Sequence, residues 1–159
     1  MRNIFFYDTI LGKVGIADNG SAITNLYFNI DSVDKDMILI ETELIKKAFT
    51  QLEEYLCKNR THFEIPLSPC GTQFMKSVWN ELKNIQYGKT CAYGEIAEKI
   101  GNPKAARAVG LANNKNPIPI FIPCHRVIGK NGKLVGYSGG LDIKEKLLYL
   151  ECSTNKTVF

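Results

Sequence analysis

The sequence predicts an α+β chain in two parts. A small N-terminal antiparallel sheet with one helix comes first. A mostly helical C-terminal part with a helix-turn-helix follows. Three observations carry this. Residues 3–28 alternate short apolar runs with Gly and Asn-Gly turns, residues 36–58 repeat apolar side chains at helical spacing, and after residue 71 short amphipathic stretches are broken by Gly-Asn-Pro.

Asn3 to Asp8, Lys13 to Ala17 and Ala22 to Phe28 read as strands, with Gly12 and Asn19-Gly20 as turns and a meander as the simplest pairing. Ile38, Ile45, Phe49, Leu52 and Leu56 then lie on one face of a helix expected over 36–58. Residues 61–71 hold two prolines and a glycine. Such a segment suits a boundary, and the expected domains are 1–66 and 67–159.

The second part opens with a helix over 72–85, whose Phe74, Met75, Val78, Trp79, Leu82 and Ile85 share a face. Tyr93 to Ile100 makes a short helix that Gly101 stops. Asn102 is a good N-cap and Pro103 suits a first turn, so the next helix is expected from Pro103 to about Asn114. Two short helices joined by Gly-Asn-Pro form a helix-turn-helix pattern. The second carries Lys104, Arg107 and Lys115 among small residues that permit close approach. Prolines at 117, 119 and 123 argue for an extended, rigid path to Cys124. A hairpin is expected around Asn131-Gly132, then a loop over 136–140 and a last helix from Leu141 to Glu151.

The chain has 159 residues, 45% hydrophobic and 23% charged, the composition of a globular protein. No apolar run approaches the ~20 residues of a membrane span. The apolar run Ile4 to Tyr7, between Arg2 and Asp8, is too short for a signal peptide. A cytoplasmic protein without membrane partners is expected. Residues 1–66 hold 7 basic and 10 acidic side chains, and residues 67–159 hold 13 and 6. The net +7 of the second part suits a polyanionic partner. The five cysteines form no C-x-x-C pair, so free thiols and no zinc site are expected.

Cys124 is the candidate nucleophile. Pro123 fixes the backbone before it, and His125 and Arg126 bring basic groups, which lower a thiol pKa when they face it. In an extended segment adjacent residues point to opposite faces, so His125 would act only through a turn or a relay.

Ile122-Pro-Cys-His-Arg-Val127 resembles the signature of the O6-alkylguanine-DNA alkyltransferases, the methylated-DNA–protein-cysteine methyltransferases. Asn102 to Gly110, Asn116-Pro-Ile-Pro119 and Gly136-Tyr-Ser-Gly-Gly-Leu141 resemble that family in the same order. Residues 70–151 carry the close resemblance. Residues 1–66 share only the layout of its ribonuclease-H-like scaffold domain. The resemblance implies a monomer that repairs double-stranded DNA by irreversible transfer of the alkyl group of O6-alkylguanine, with O4-alkylthymine as a second candidate substrate. It implies no cofactor and a single turnover with base flipping.

By the same resemblance Cys124 accepts the alkyl group, His125 takes the thiol proton through a water, and Glu151 orients His125. Asn116 ties down the turn before Cys124, and Tyr93 donates a proton toward the leaving guanine. Tyr137, Ser138, Val127 and Tyr93 line the pocket, where the carbonyls of Cys124 and Val127 accept from the guanine amino group. Lys104, Ala105, Ala106, Arg107, Ala112 and Asn113 meet the DNA, with Arg107 filling the gap left by the flipped nucleotide. Ala92 departs from the serine many relatives use as the helix cap. Three rival readings are weaker. A non-catalytic damage-recognition relative would lack Cys124, a thiol hydrolase leaves the helix-turn-helix unexplained, and a transcription regulator leaves Pro-Cys-His-Arg unexplained.

Overall fold

The computed structural model describes residues 1–152 and divides into two compact units, Met1–Cys70 and Gly71–Phe159. In the first unit β1 (Asn3–Thr9), β2 (Gly12–Asp18) and β3 (Ile23–Tyr27) pair antiparallel, as expected from their turns. Thr9 Oγ1 accepts from Leu11 N at 3.0 Å and donates to Gly12 O at 2.8 Å, which closes the first turn. Asn19 Oδ1 accepts from Ser21 N and Ala22 N, both at 3.0 Å, and closes the second.

The sheet has a fourth strand that the sequence did not suggest. β4 (Ile38–Leu39) lies parallel to β1 at the edge, giving the order β3-β2-β1-β4. Ile38 N donates to Arg2 O and Ile40 N to Ile4 O, so this segment spends its backbone on the sheet. The helix expected from residue 36 therefore begins only at α1 (Glu43–Leu56). Thr42 sets that start, because its hydroxyl accepts from Ile45 N at 3.1 Å. α1 packs on the sheet and buries Ile45, Ala48, Leu52 and Tyr55 with Ile4, Ile16, Ile23 and Leu26. Each large aliphatic side chain there contributes roughly 1.5–3 kcal/mol. The units divide after Cys70, not after residue 66. Ile23 N donates to Pro66 O and Ser68 N to Ile23 O, so residues 66–68 are laced to β3.

The second unit contains α2 (Gln73–Leu82), β5 (Cys91–Ala92), α3 (Tyr93–Lys99), α4 (Ala106–Asn114), β6 (Val127–Ile128) and α5 (Leu141–Glu151). Thr72 caps α2 by accepting from Met75 N. Trp79 is a core residue, 1% exposed, and its indole donates to Ala112 O at 2.9 Å, pinning α2 to α4. Gly71 is required beside it: a Cβ there would stand 2.4 Å from the Trp79 ring. Ala92 gives α3 no side-chain cap, but Glu95 accepts from Ala92 N at 3.1 Å and supplies half of a capping box.

Three local expectations fail here. α4 starts at Ala106, because residues 102–105 form a turn closed by Ala105 N to Asn102 O. The path to Cys124 is not straight. Ile122 N donates to Ile118 O across a turn in which Ile120 holds φ +74°, a strained conformation for a β-branched residue. The hairpin around Asn131-Gly132 is absent. β6 pairs parallel with β5 instead, and residues 130–132 form a 3-10 turn with Asn131 at φ +64°.

Candidate active site

Cys124 opens a 3-10 turn, Cys124–Arg126, in which all three side chains are buried. The turn replaces the extended segment expected here. His125 Nε2 meets Glu151 Oε2 at 2.6 Å, both groups being almost wholly buried. α5 makes this possible, because its last residue is Glu151 and its buried stripe is Lys144, Leu147, Leu150 and Glu151. Glu151 is also clamped by Arg126, whose Nε donates to Oε1 at 2.8 Å and Nη2 to Oε2 at 3.0 Å. Arg126 Nη1 donates to Ile85 O at 2.7 Å, and its guanidinium lies 5.7 Å from the centre of the Tyr87 ring. A buried carboxylate with a bidentate arginine satisfies its lone pairs, which is what makes its burial tolerable.

The electrostatics follow from burial. Desolvation tends to raise Glu151, but the hydrogen bond and charge of His125 and then Arg126 outweigh it and hold the carboxyl at about 2. Burial pulls His125 below the usual imidazole range, with Glu151 opposing only in part, so the ring is neutral at neutral pH. Glu151 keeps both partners, the His125 ring nitrogen at 2.6 Å and the Arg126 guanidinium. Desolvation pushes the Cys124 thiol up to about 11, while the Asn116 side chain and the Lys144 charge act the other way. A thiol depressed below its ordinary value was the expectation. It fails because Cys124 is 2% exposed and Arg126 spends its charge on Glu151. The resting site therefore holds a neutral thiol beside a neutral imidazole.

Two asparagines at the end of α4 and just beyond it brace the turn. Asn116 Oδ1 accepts from Ile118 N at 3.0 Å and Nδ2 donates to Ile122 O at 2.9 Å, which holds the turn before Cys124 together. Asn113 Nδ2 donates to Cys124 O at 3.3 Å. Asn113 and Ala112 were expected on the DNA face. Both are buried, at 1% and 2% exposure, because α4 turns them toward Cys124 and Trp79. The outward face of α4 is instead Arg107, Ala108, Leu111 and Asn114, with Lys104 just before the helix and Lys115 just after it. Ala105 and Ala106 are half-buried.

Tyr93 is half-buried, its ring beside Gly110 and its hydroxyl donating to Val135 O at 3.1 Å. Desolvation, then the nearby Cys124, raises it. The Tyr137 hydroxyl is buried, and burial raises it strongly, with Cys124 and Glu151 adding to the effect. Ser138 is exposed. Gly136 holds φ +57° against Asn114, whose amide would stand 2.7 Å from a Cβ at that position.

Two site residues escaped the sequence reading. Arg126 stood inside the motif but was read only as nearby charge. Lys144 is 0% exposed and donates to Val127 O at 2.7 Å, Val135 O at 2.9 Å and Gly136 O at 3.3 Å. It thus ties the segment after Cys124 to the loop before Tyr137. Its signal was a lysine on the apolar stripe of α5, at helical spacing from Leu147 and Glu151. Val127, expected in the pocket, is buried, and its carbonyl already carries Lys144.

A buried cysteine beside a histidine–carboxylate pair, in a unit that also carries a helix-turn-helix, defines a thiol protein of nucleic-acid-binding architecture. The family 6-O-methylguanine DNA methyltransferase, DNA binding domain, matches residues 73–153, and the ribonuclease-like domain of the same family matches residues 5–69. The methylated-DNA–protein-cysteine methyltransferase of Methanosarcina acetivorans is 63% identical over 111 residues, 70% of this chain and 71% of that protein. Its counterpart in Mycobacterium leprae is 47% identical over 146 residues, 91% and 88% of the two chains. The crystal structure of Mycobacterium tuberculosis O6-methylguanine methyltransferase superposes with a TM-score of 0.90 at 42% identity, covering 99% of this chain and 96% of that one. A structure of the Mycobacterium tuberculosis protein in complex with DNA gives 0.88 at 44% identity, covering 95% and 93%. The chain belongs to the 6-O-methylguanine DNA methyltransferase family.

Proposed function

We propose that this chain repairs DNA directly, by moving the alkyl group of O6-alkylguanine onto Cys124. The observation that carries this is the buried His125–Glu151 pair, at 2.6 Å, whose histidine follows Cys124 in one 3-10 turn. Cys124 Sγ attacks the alkyl carbon, the carbon–O6 bond breaks, and its electron pair stays on the guanine. The thiol proton passes through a water to His125 Nδ1, while Glu151 receives the hydrogen bond of Nε2 and steadies the imidazolium. Because the resting thiol is neutral, its proton has to leave before or during attack. Tyr93 supplies a proton to the departing guanine ring. The sum needs no cofactor.

The O6 atom lies inside the duplex, so the base must be extruded before Cys124 can reach it. The exposed face of α4 supports that role, with Arg107 entering the stack and Lys104 near the phosphates. Minor-groove docking suits sequence-independent search. Tyr137 and Ser138 frame the base. The product thioether is not reversed by thiol exchange, so each molecule acts once. One chain carries every reacting side chain, which supports a monomer. The five cysteines are free, which supports the reducing cytoplasm. Among the described residues no helix is long and apolar enough to cross a membrane.

The test is to mix the protein with duplex DNA containing O6-methylguanine and weigh the intact chain. A gain of one methyl group, mapped to Cys124, is expected. An unchanged mass, or methylation elsewhere, overturns the proposal.

A further inference from the structure

The His125–Glu151 pair is held from a second direction, by residues 85–89. Lys89 N donates to Gln86 O at 3.0 Å and Gly88 holds φ +79°, which makes Gln86-Tyr87-Gly88-Lys89 a type II turn. Each flank of Tyr87 bonds one member of the Arg126–Glu151 pair. Ile85 O accepts from Arg126 Nη1 at 2.7 Å, and Gly88 N donates to Glu151 Oε1 at 3.3 Å. Glycine lets the turn lie this close, since a Cβ at position 88 would stand 3.0 Å from Glu151 O. Between these flanks the centre of the Tyr87 ring lies 5.7 Å from the Arg126 guanidinium, and the hydroxyl donates to Leu150 O at a long 3.5 Å. Arg126 and Glu151 are buried, Tyr87 is half-buried, and Gln86 and Gly88 are exposed. The ring therefore stands between a buried ion pair and the surface.

An ion pair weakens when water reaches it, because the local dielectric rises. Glu151 divides its oxygens between its partners. Oε1 takes Arg126 Nε and Gly88 N, and Oε2 takes His125 Nε2 and Arg126 Nη2. A guanidinium free to swing would draw the carboxylate off His125. We propose that Tyr87 is a positioning residue for the proton relay, whose ring keeps Arg126 on Glu151 and water off both, so that Oε2 stays on His125. This rests on the repair reading above and deepens it by naming what keeps the relay dry and aligned. Tyr87 acts through Arg126 and Glu151, not on the reacting atoms.

The test is the pH profile of Cys124 alkylation by free O6-benzylguanine, which needs no base flipping and is read by intact mass. Near neutral pH the thiol is protonated and the reaction needs the relay. Toward alkaline pH hydroxide removes that proton, and the relay matters less. Burial and then Glu151 raise the Tyr87 hydroxyl, so Tyr87 itself stays neutral over most of this range. Tyr137 also faces Glu151, Lys144 faces His125 and Cys124, and Tyr93 faces Cys124, and the variants leave all three in place. Tyr87→Ala is expected to slow alkylation roughly tenfold at neutral pH and to come within about twofold of wild type by about pH 10. Tyr87→Leu serves in its place if the alanine variant does not fold, as judged by melting. Tyr87→Phe keeps the ring and loses only the long hydroxyl bond, so it is expected to stay within about twofold of wild type at every pH. Three results overturn the proposal while sparing the repair reading. They are a Tyr87→Ala rate equal to wild type throughout, a rate lowered by the same factor at every pH, or a Tyr87→Phe chain as slow as the alanine variant. The second would make Tyr87 a packing residue only, and the third would give the role to the hydroxyl. If wild type takes benzyl at no pH, the repair reading itself fails and this one with it.

Discussion

The two units treat buried polar groups differently. In the first, Asp18 and Gln51 are the polar residues buried among those described, and each serves local folding. Asp18 receives Asn3 Nδ2 at 2.9 Å and Thr42 Oγ1 at 2.5 Å, and Gln51 receives Glu64 N at 2.9 Å. In the second, Asn113, Asn116, His125, Arg126, Lys144 and Glu151 are buried, and they gather around Cys124 and the loop after it. Pins that close loops can be few and neutral or singly charged. A site that must hold a thiol, move a proton and keep out water needs several, and each must be matched by another. The second unit thus carries reactive chemistry in its core, where the first carries only packing.

The largest break of this contrast is removal of the reacting atom. Cys124→Ser is expected to abolish methyl transfer to the protein, while binding to duplex DNA stays within about twofold, because the thiol touches no phosphate. Mass spectrometry and a titration of labelled duplex check the two halves.

Next in size is the clamp. Arg126→Met strands a buried Glu151 charge and is expected to destabilise the chain by about 3–5 kcal/mol, the usual consequence of removing one partner of a buried pair. Gln51→Leu in the first unit, which strands only the Glu64 amide, is expected to cost about 1–3 kcal/mol. Denaturant melts of both variants sharpen the contrast. Equal losses would dissolve it.

Acid separates the units by the same logic. Glu151 sits at about 2 when folded, below its unfolded value, so it contributes stability above the unfolded pKa and loses it as pH falls toward about 2. The loss amounts to about 3 kcal/mol by linkage. Melts of wild type from neutral pH downward are expected to show this slope, and Glu151→Gln is expected to flatten it while lowering stability at neutral pH. Cys124 gives the opposite arm. Its folded pKa is raised to about 11, so the neutral thiol is favoured by the fold and that advantage is lost as pH rises from the unfolded thiol value through about 11. Its reaction with iodoacetamide is expected to be slow at neutral pH and to climb toward that value.

The smallest effect on stability, and a selective one on activity, belongs to the exposed face of α4. Arg107→Ala is expected to leave melting within about 0.5 kcal/mol. It is expected to slow repair of duplex DNA by roughly tenfold or more while free O6-benzylguanine reacts within about twofold of wild type. Equal losses on both substrates would move Arg107 from DNA to the chemistry.

Much of this was legible beforehand. Asn19-Gly20 and Gly12 marked the turns between three strands, and the spacing of Ile45, Leu52 and Leu56 marked α1, because local turn chemistry and periodicity act within a few residues. The motif Pro123-Cys124-His125-Arg126 marked the site for the same reason. What the sequence alone could not decide was long-range. Ile38 and Leu39 suit a helix as well as a strand, and only the open edge of β1 made them β4. Val127 and Ile128 suit a hairpin, and only the availability of Cys91 and Ala92 drew them into a parallel pair. Lys144 on an apolar stripe made sense only once three carbonyls surrounded its ammonium group. The thiol's protonation followed the same rule. Neighbouring basic residues in the chain argued for a lowered pKa, but a charge acts by its distance and partners in space, and Arg126 had been claimed by Glu151, 25 residues away. Local sequence determined most of the elements and singled out Cys124 as the candidate nucleophile. Tertiary packing decided which groups lose water and which charges meet, and those set the chemistry.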